Sequence, residues 1–170
     1  MAAAVLQDRL QKTDIAAEVC SAGFGPGGLP ALEETIEVML EVGIDLRQHR
    51  SRHVTIGDLR DSDLIIVMTR QHAMDVVLLD TESWPRTFPI IDLVRRGQRI
   101  GTIGVNETFG QWVARVHAGR ERFELLALAP SVDIVDPVGE PVAVVRRTRD
   151  VLSNLVEELV GLVAADPELR

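Results

Sequence analysis

Five consecutive apolar residues, Leu64-Ile65-Ile66-Val67-Met68, stand between Asp63 and Thr69, and no other stretch constrains the fold as much. So short and uniformly apolar a run lacks a polar face, and it is read as a buried strand of a parallel sheet. Parallel neighbours need long crossovers, and helical patterns lie on either side of this run. The whole chain reads as helix, strand, helix, strand, helix, strand, helix. That alternation belongs to an α/β domain. No internal repeat is visible.

The other elements follow from spacing and punctuation. Ala2 to about Lys12 predicts a helix with Val5, Leu6 and Leu10 on one face, and Ala17 to Ser21 a short strand. Pro30 suits the first turn of a helix whose apolar residues Leu32, Ile36, Met39 and Leu40 recur at helical spacing. Gly43 can end that helix by taking a positive φ. Thr69 is placed to cap the helix after the apolar run, Trp84-Pro85 breaks the chain, and Arg86-Thr87-Phe88 is a further strand. From about Pro141 to Val163 a long helix presents Val144, Val145, Leu152, Leu155, Val156, Leu159 and Val163 as one apolar face. Between Ile91 and Ser131, Gly97, Gly101 and Gly104 predict a loop and Thr108 to Gly119 a helix. The segment at about 97–130 is expected to be an insertion in a single domain spanning 1–170. It is read first as a solvated excursion, with a substrate-facing lid as the alternative. Its arginines, Arg95, Arg96, Arg99, Arg115, Arg120 and Arg122, would favour an acidic or phosphorylated partner unless they form only a solvated face.

Composition narrows the function classes. The 170 residues are 46% hydrophobic and 26% charged, enough for one domain with a sizeable core. A net charge of −8, with arginines interleaved among carboxylates, argues against nucleic acid as a partner. No apolar run approaches the roughly 18 residues of a membrane span, and no signal-peptide pattern opens the chain, so the expected location is cytoplasmic. Cys20 is the one cysteine, which rules out an internal disulfide and fits a reducing compartment.

Several motifs in order carry a resemblance: Ser21-Ala22-Gly23, Gly43-Ile44-Asp45-Leu46, His49-Arg50-Ser51-Arg52, Leu64 to Met68, and Asp136-Pro137. Together they resemble the low-molecular-weight protein tyrosine phosphatases and related arsenate reductases, over most of the chain. The resemblance implies a flavodoxin-like three-layer α/β/α fold around a parallel four-stranded sheet. It also implies a first strand running into a Cys-x5-Arg phosphate loop, then Ser-Pro and a helix like the one beginning at Met1. That strand and loop are missing from these 170 residues, and in the family the strand is central. The expectation is therefore an incomplete N-terminus, with Met1 an internal methionine of a longer natural chain. The ratio of 17 Arg to one Lys suggests a GC-rich genome, where gene starts are easily misplaced. Each buried unpaired backbone group costs about 1–3 kcal/mol, against a domain stability of about 5–15 kcal/mol, so the chain should be marginal as it stands.

The residues that carry chemistry follow from the resemblance. Hydrolysis of a phosphate monoester through cysteine needs a thiolate, donors around the phosphoryl oxygens, and an acid for the leaving group. Asp136, held extended by Pro137, is the implied general acid and later base. Ser21 and His49 match the positions that brace the phosphate loop. The implied partners are a phosphotyrosine protein or a small phosphate ester, once the N-terminus is completed. No cofactor and no metal is implied. Val138 and Gly139 follow Asp136-Pro137 where the family commonly has aromatic residues, and the chain has no tyrosine. Phosphotyrosine preference is therefore an open point, as is arsenate reduction with a small-molecule thiol.

The same residues admit other readings. Cys20 lies in the expected strand with Pro26 rather than Arg six residues on, so it is read as a buried inert thiol. His49 and His53 are four apart but have no third ligand at metal-site spacing. Gly23-Phe24-Gly25-Pro26-Gly27-Gly28 fits G-x-G-x-x-G, with Asp45 about 20 residues on, as a dinucleotide-binding domain would. Against that reading, Pro26 lacks an amide hydrogen and Pro30 delays the helix. A third class is a phosphatase-like binding module without catalysis.

Overall fold

A computed structural model describes residues 1–126 and 132–164. In chain order these form α1 (Ala2–Leu10), α2 (Glu33–Leu40), α3 (Ile56–Asp61), β1 (Ile65–Val67), α4 (Arg70–Leu79), β2 (Thr87–Pro89), α5 (Ile90–Ile100), α6 (Phe109–His117) and α7 (Val142–Val163). Three-residue-per-turn segments at Thr81–Arg86 and Arg122–Leu126 complete them. The class is α/β with a small parallel sheet, in which Ile65, Ile66 and Val67 pair with Thr87, Phe88 and Pro89. Two compact units are formed: Met1–Val54 with Val135–Val160, and Thr55–Ile134 with Gly161–Arg170.

In the first unit, Val5, Ile36, Val38, Met39, Val145, Leu152, Val156 and Leu159 are buried, and all but Val38 lie on the helical faces read from the sequence. The sequence pattern did not show the buried polar pair within α7, Thr148 and Arg149. Arg149 donates from Nη1 to the Val38 carbonyl, 2.9 Å, and to Glu41 Oε2, 2.7 Å, and Arg146 also donates to Glu41. One carboxylate at the end of α2 thus ties two arginines of α7. Gly43 takes φ +79° directly after α2 and ends it as expected.

Three expectations for this unit fail. Residues Ala17–Ser21 form no strand, since among the described residues no backbone-to-backbone hydrogen bond involves any residue from Asp14 to Ala22. A strand needs a neighbour whose amides and carbonyls face its own, and no described segment pairs with this one. Pairing begins only at Gly23, which donates to Arg52, 2.9 Å, and accepts from Val54, 2.9 Å. As a result Cys20 is exposed rather than buried. Pro30 is not in the first turn of α2, since it bridges Arg50 in antiparallel fashion while Leu32 occupies the cap of the helix.

In the second unit Thr69 caps α4, accepting from the His72 amide as expected. Thr108 does the same for α6 through a capping box with Gln111. The loop expected at Gly97 is instead the middle of α5, because the missing Cβ leaves room for its neighbours. A Cβ at Gly97 would lie 2.6 Å from Leu162 Cδ1 and 3.3 Å from Trp112 Cζ2. Trp112, Val113 and Val116 of α6 are buried with Leu93 and Val94 of α5. Helices α5 and α6 are therefore packed elements of this unit, and the reading of a solvated excursion does not hold for them. Of the six arginines, Arg95, Arg99 and Arg122 are exposed as a solvated face requires, whereas Arg96, Arg115 and Arg120 are not. Arg96 pairs with Asp92 and Glu124, and Arg115 with Glu107 and the carbonyls of Ile100 and Thr102. Arg120 is buried between the rings of Trp84 and Phe88, 4.1 and 3.9 Å from their centroids. Burial pushes its guanidinium down to about 10, and Asp92 works against that shift.

Two outcomes follow. Replacing Gly97→Ala should lower stability by about 1–3 kcal/mol through overpacking. Gly110→Ala in α6, whose Cβ would meet nothing within 4 Å, should raise it by up to about 1 kcal/mol; thermal melts of both variants check this. The Glu41 carboxyl is held down at about 2 by hydrogen bonds from Arg146 and then Arg149. Its folded value lies below its ordinary 4.5, so the tie is complete above that pH and lost as pH falls toward 2. The Tm gap between wild type and Glu41→Gln should be constant at neutral pH and close on acidification.

Candidate active site

Asp136 lies on the exposed loop between Val135 and Glu140, directly before α7. Its Oδ1 accepts from the Val138 amide at 3.1 Å, closing a turn over Pro137. A second turn follows, in which Glu140 donates to the Pro137 carbonyl, 3.1 Å, with Gly139 at φ +76°. Val135 and Val138, on either side, are 68% and 66% exposed, so nothing in the loop shields the carboxylate from a substrate. Such a carboxylate can give a proton to a leaving oxygen and take one from water.

The chain just before this loop is fastened to the start of α4, an anchor that the sequence reading missed. Asp133 Oδ1 accepts from the Arg70 amide at 2.8 Å, and its carboxylate also receives the Arg70 guanidinium, Nη2 to Oδ2 at 3.2 Å. Ile134 donates to the Met68 carbonyl at 2.8 Å, one residue beyond β1. Burial opposes ionisation of Asp133, yet the hydrogen bonds from Arg70 outweigh it and hold the carboxyl below its ordinary value. The only sequence signal was a second aspartate three residues before Asp136. It carried no weight while its partner lay 63 positions away.

Ser21 and His49 are both exposed. Neither the Ser21 hydroxyl nor the His49 ring has a hydrogen-bond partner among the described residues; the His49 amide donates to Leu46 and its carbonyl accepts from Arg50. Residues 49–53 are not helical. Arg50 bridges Pro30, His53 bridges Gly23, and His53 Nδ1 lies 3.1 Å from the Gly25 carbonyl. Among the described residues no three His, Cys, Asp or Glu side chains are grouped to hold a metal ion.

The glycine-rich segment is not a phosphate cradle. Gly28 donates to the Ser51 carbonyl, 2.8 Å, and Leu29 to Ser51 Oγ, 3.0 Å. Ser51 returns its hydroxyl to Pro26, 2.8 Å, and its amide to Leu29, 2.8 Å. The amides of Gly28 and Leu29 are thus engaged by Ser51 and that of Gly23 by Arg52, and the helix begins only at Glu33. No described helix is long and apolar enough to cross a membrane.

The family model for low molecular weight phosphotyrosine protein phosphatase matches residues 1–99. The solved low molecular weight protein tyrosine phosphatase from T. tengcongensis is 26% identical with a TM-score of 0.69, covering 94% of this chain and 87% of its own. The YwlE arginine phosphatase from Geobacillus stearothermophilus is 25% identical, TM-score 0.67, covering 94% and 80%. The tyrosine phosphatase Wzb from Escherichia coli K30, solved with sulphate, shares the fold at 19% identity and TM-score 0.64, covering 94% and 85%. Comparison with curated proteins gives no match.

Proposed function

The chain belongs to the low molecular weight phosphotyrosine protein phosphatase family, and on that premise we propose that Asp136 is the general acid and base of phosphate-monoester hydrolysis through a phosphocysteine. In the first step a thiolate attacks phosphorus in line, the bond to the leaving oxygen breaks, and Asp136 gives that oxygen its proton. In the second step water attacks phosphorus, Asp136 takes the proton of the water, and the sulfur–phosphorus bond breaks to release phosphate. The observation that carries this reading is the exposed Asp136-Pro137 turn, its carboxylate engaged by one backbone amide.

The thiolate is not among these residues. Cys20, the single cysteine, has Pro26 six positions on where the reaction needs an arginine for the phosphoryl oxygens. The 170 residues alone carry the acid half of the reaction and should not turn over. Ser21 and His49 are assigned to bracing the phosphate loop by their place in the order of motifs. The substrate class is phosphotyrosine or a small aryl phosphate. A second reading, phosphoarginine, draws on the likeness to an arginine phosphatase and on Val138 and Gly139, which offer no ring to stack on a phenol.

The test joins a segment carrying a strand and a Cys-x5-Arg loop ahead of Met1 and measures hydrolysis of p-nitrophenyl phosphate, phosphotyrosine and phosphoarginine. Turnover is expected in the extended chain and not in the 170 residues. Asp136→Ala should lower kcat of the extended chain by about 10²–10⁴-fold. Equal activity with and without the Asp136 carboxyl would remove it from the mechanism, and the substrate with the larger kcat/KM decides between phenol and guanidine leaving groups.

A further inference from the structure

We propose that Asp133 is a positioning residue for Asp136; the proposal rests on the acid role assigned above and names what holds that acid in place. Asp136 is on an exposed loop, where a side chain gains catalytic value only if the backbone beneath it is restrained. The C-terminal side is restrained locally: the Val138 amide closes the turn on Asp136, and Val144 donates to Pro141 at 2.7 Å as α7 begins. On the N-terminal side the restraint is Asp133 with Ile134. Their bonds to the Arg70 amide and to the Met68 carbonyl are both 2.8 Å.

Two residues span at most about 7 Å of extended chain, so fixing Ile134 confines Asp136 to a small volume. The anchoring points are themselves rigid. Met68 directly follows β1, and Arg70 is the first residue of α4, whose Thr69 cap is formed. The pairing with Arg70 also neutralises a carboxylate three residues from the acid. An Asp133 without its partner would place a second negative charge beside a group that must give up a proton. The Asp133 carboxylate therefore does two things, fixing the loop through Oδ1 on a backbone amide and removing its own charge through the guanidinium.

The tether is tested in the 170-residue chain by amide hydrogen exchange at Ile134 and Val138, in Asp133→Ala and Asp133→Asn. The asparagine keeps an acceptor for the Arg70 amide and loses the charge. Asp133→Ala should speed exchange at both amides by about tenfold, with protection in the middle of α4 retained, and Asp133→Asn should restore at least half of the protection. Unchanged exchange at Val138 in Asp133→Ala would overturn the proposal, as would acceleration spread evenly over α4, which marks a helix cap and nothing more. In the extended chain, Asp133→Ala should lower kcat about tenfold with KM within twofold. A loss confined to KM would overturn the positioning role. If the exchange results hold while the extended chain hydrolyses no phosphate ester, it is the assigned reaction that fails and not the tether.

Discussion

The parallel pairing of β1 with β2 sets the position of everything that bears on the candidate acid in the second unit. Three-residue strands make too few ladder bonds to persist alone, so the pair exists because its side chains are buried: Phe88 and Thr87 are inaccessible, and Pro89 and Val67 are buried. Both strands run in the same direction, so their carboxyl ends emerge together. There the chain turns directly into α4 after β1 and into α5 after β2. In open parallel sheets the ends of the strands are where ligand-handling loops gather. The segment that leads to Asp136 returns to this edge, with Ile134 bonded to Met68 and Asp133 to Arg70.

Beneath that edge, charge is handled by burial with compensation. Arg120 lies between Trp84 and Phe88, with Asp92 3.7 Å from Nε. A guanidinium tolerates such a place because its flat, weakly hydrated faces stack on rings. Asp80 is equally buried, and accepts the Ser83 hydroxyl at 2.6 Å with Arg60 at 3.5 Å. The hydroxyl bond first, and then the arginines, hold its carboxyl below the ordinary value despite the cost of burial. Asp80 is thus satisfied by specific partners, whereas Arg120 Nε is buried without a hydrogen bond among the described residues and is compensated by the two rings and the charge of Asp92. Both arrangements favour one placement of the elements around β2 over slipped alternatives.

How far the sequence could be read depended on whether the deciding contacts were local. The strand at Leu64 to Met68, the Thr69 cap, the Gly43 stop and the long final helix are set by neighbouring residues, and each was legible to within a residue or two. The loop at Asp136-Pro137 was legible as well, because Asp-Pro is a local pair; the role of its carboxylate is the proposal made above. Among the features that were not legible are the course of residues 14–22, the helical place of Gly97, and the Asp133 anchor. Each depends on something distant in sequence: a pairing neighbour, the side chains of Leu162 and Trp112, and Arg70. Gly97 shows the difficulty well. A glycine in a run of arginines signals a loop by propensity, whereas here its missing side chain is what lets a helix pack closely.

The same distinction separates the two halves of the proposed chemistry. A phosphate loop has to present several amides and a thiolate at once, so it depends on a strand beneath it and on braces behind it. A general acid needs one carboxylate at the right height. The restraints described for Asp136 lie among these residues: the amide of Val138, the turn through Pro137 and Gly139, the start of α7, and the tether proposed at Asp133 and Ile134. None of them draws on a thiol or a bound anion. The acid loop is therefore a self-contained device, and its geometry can be studied apart from the nucleophile it is assigned to serve.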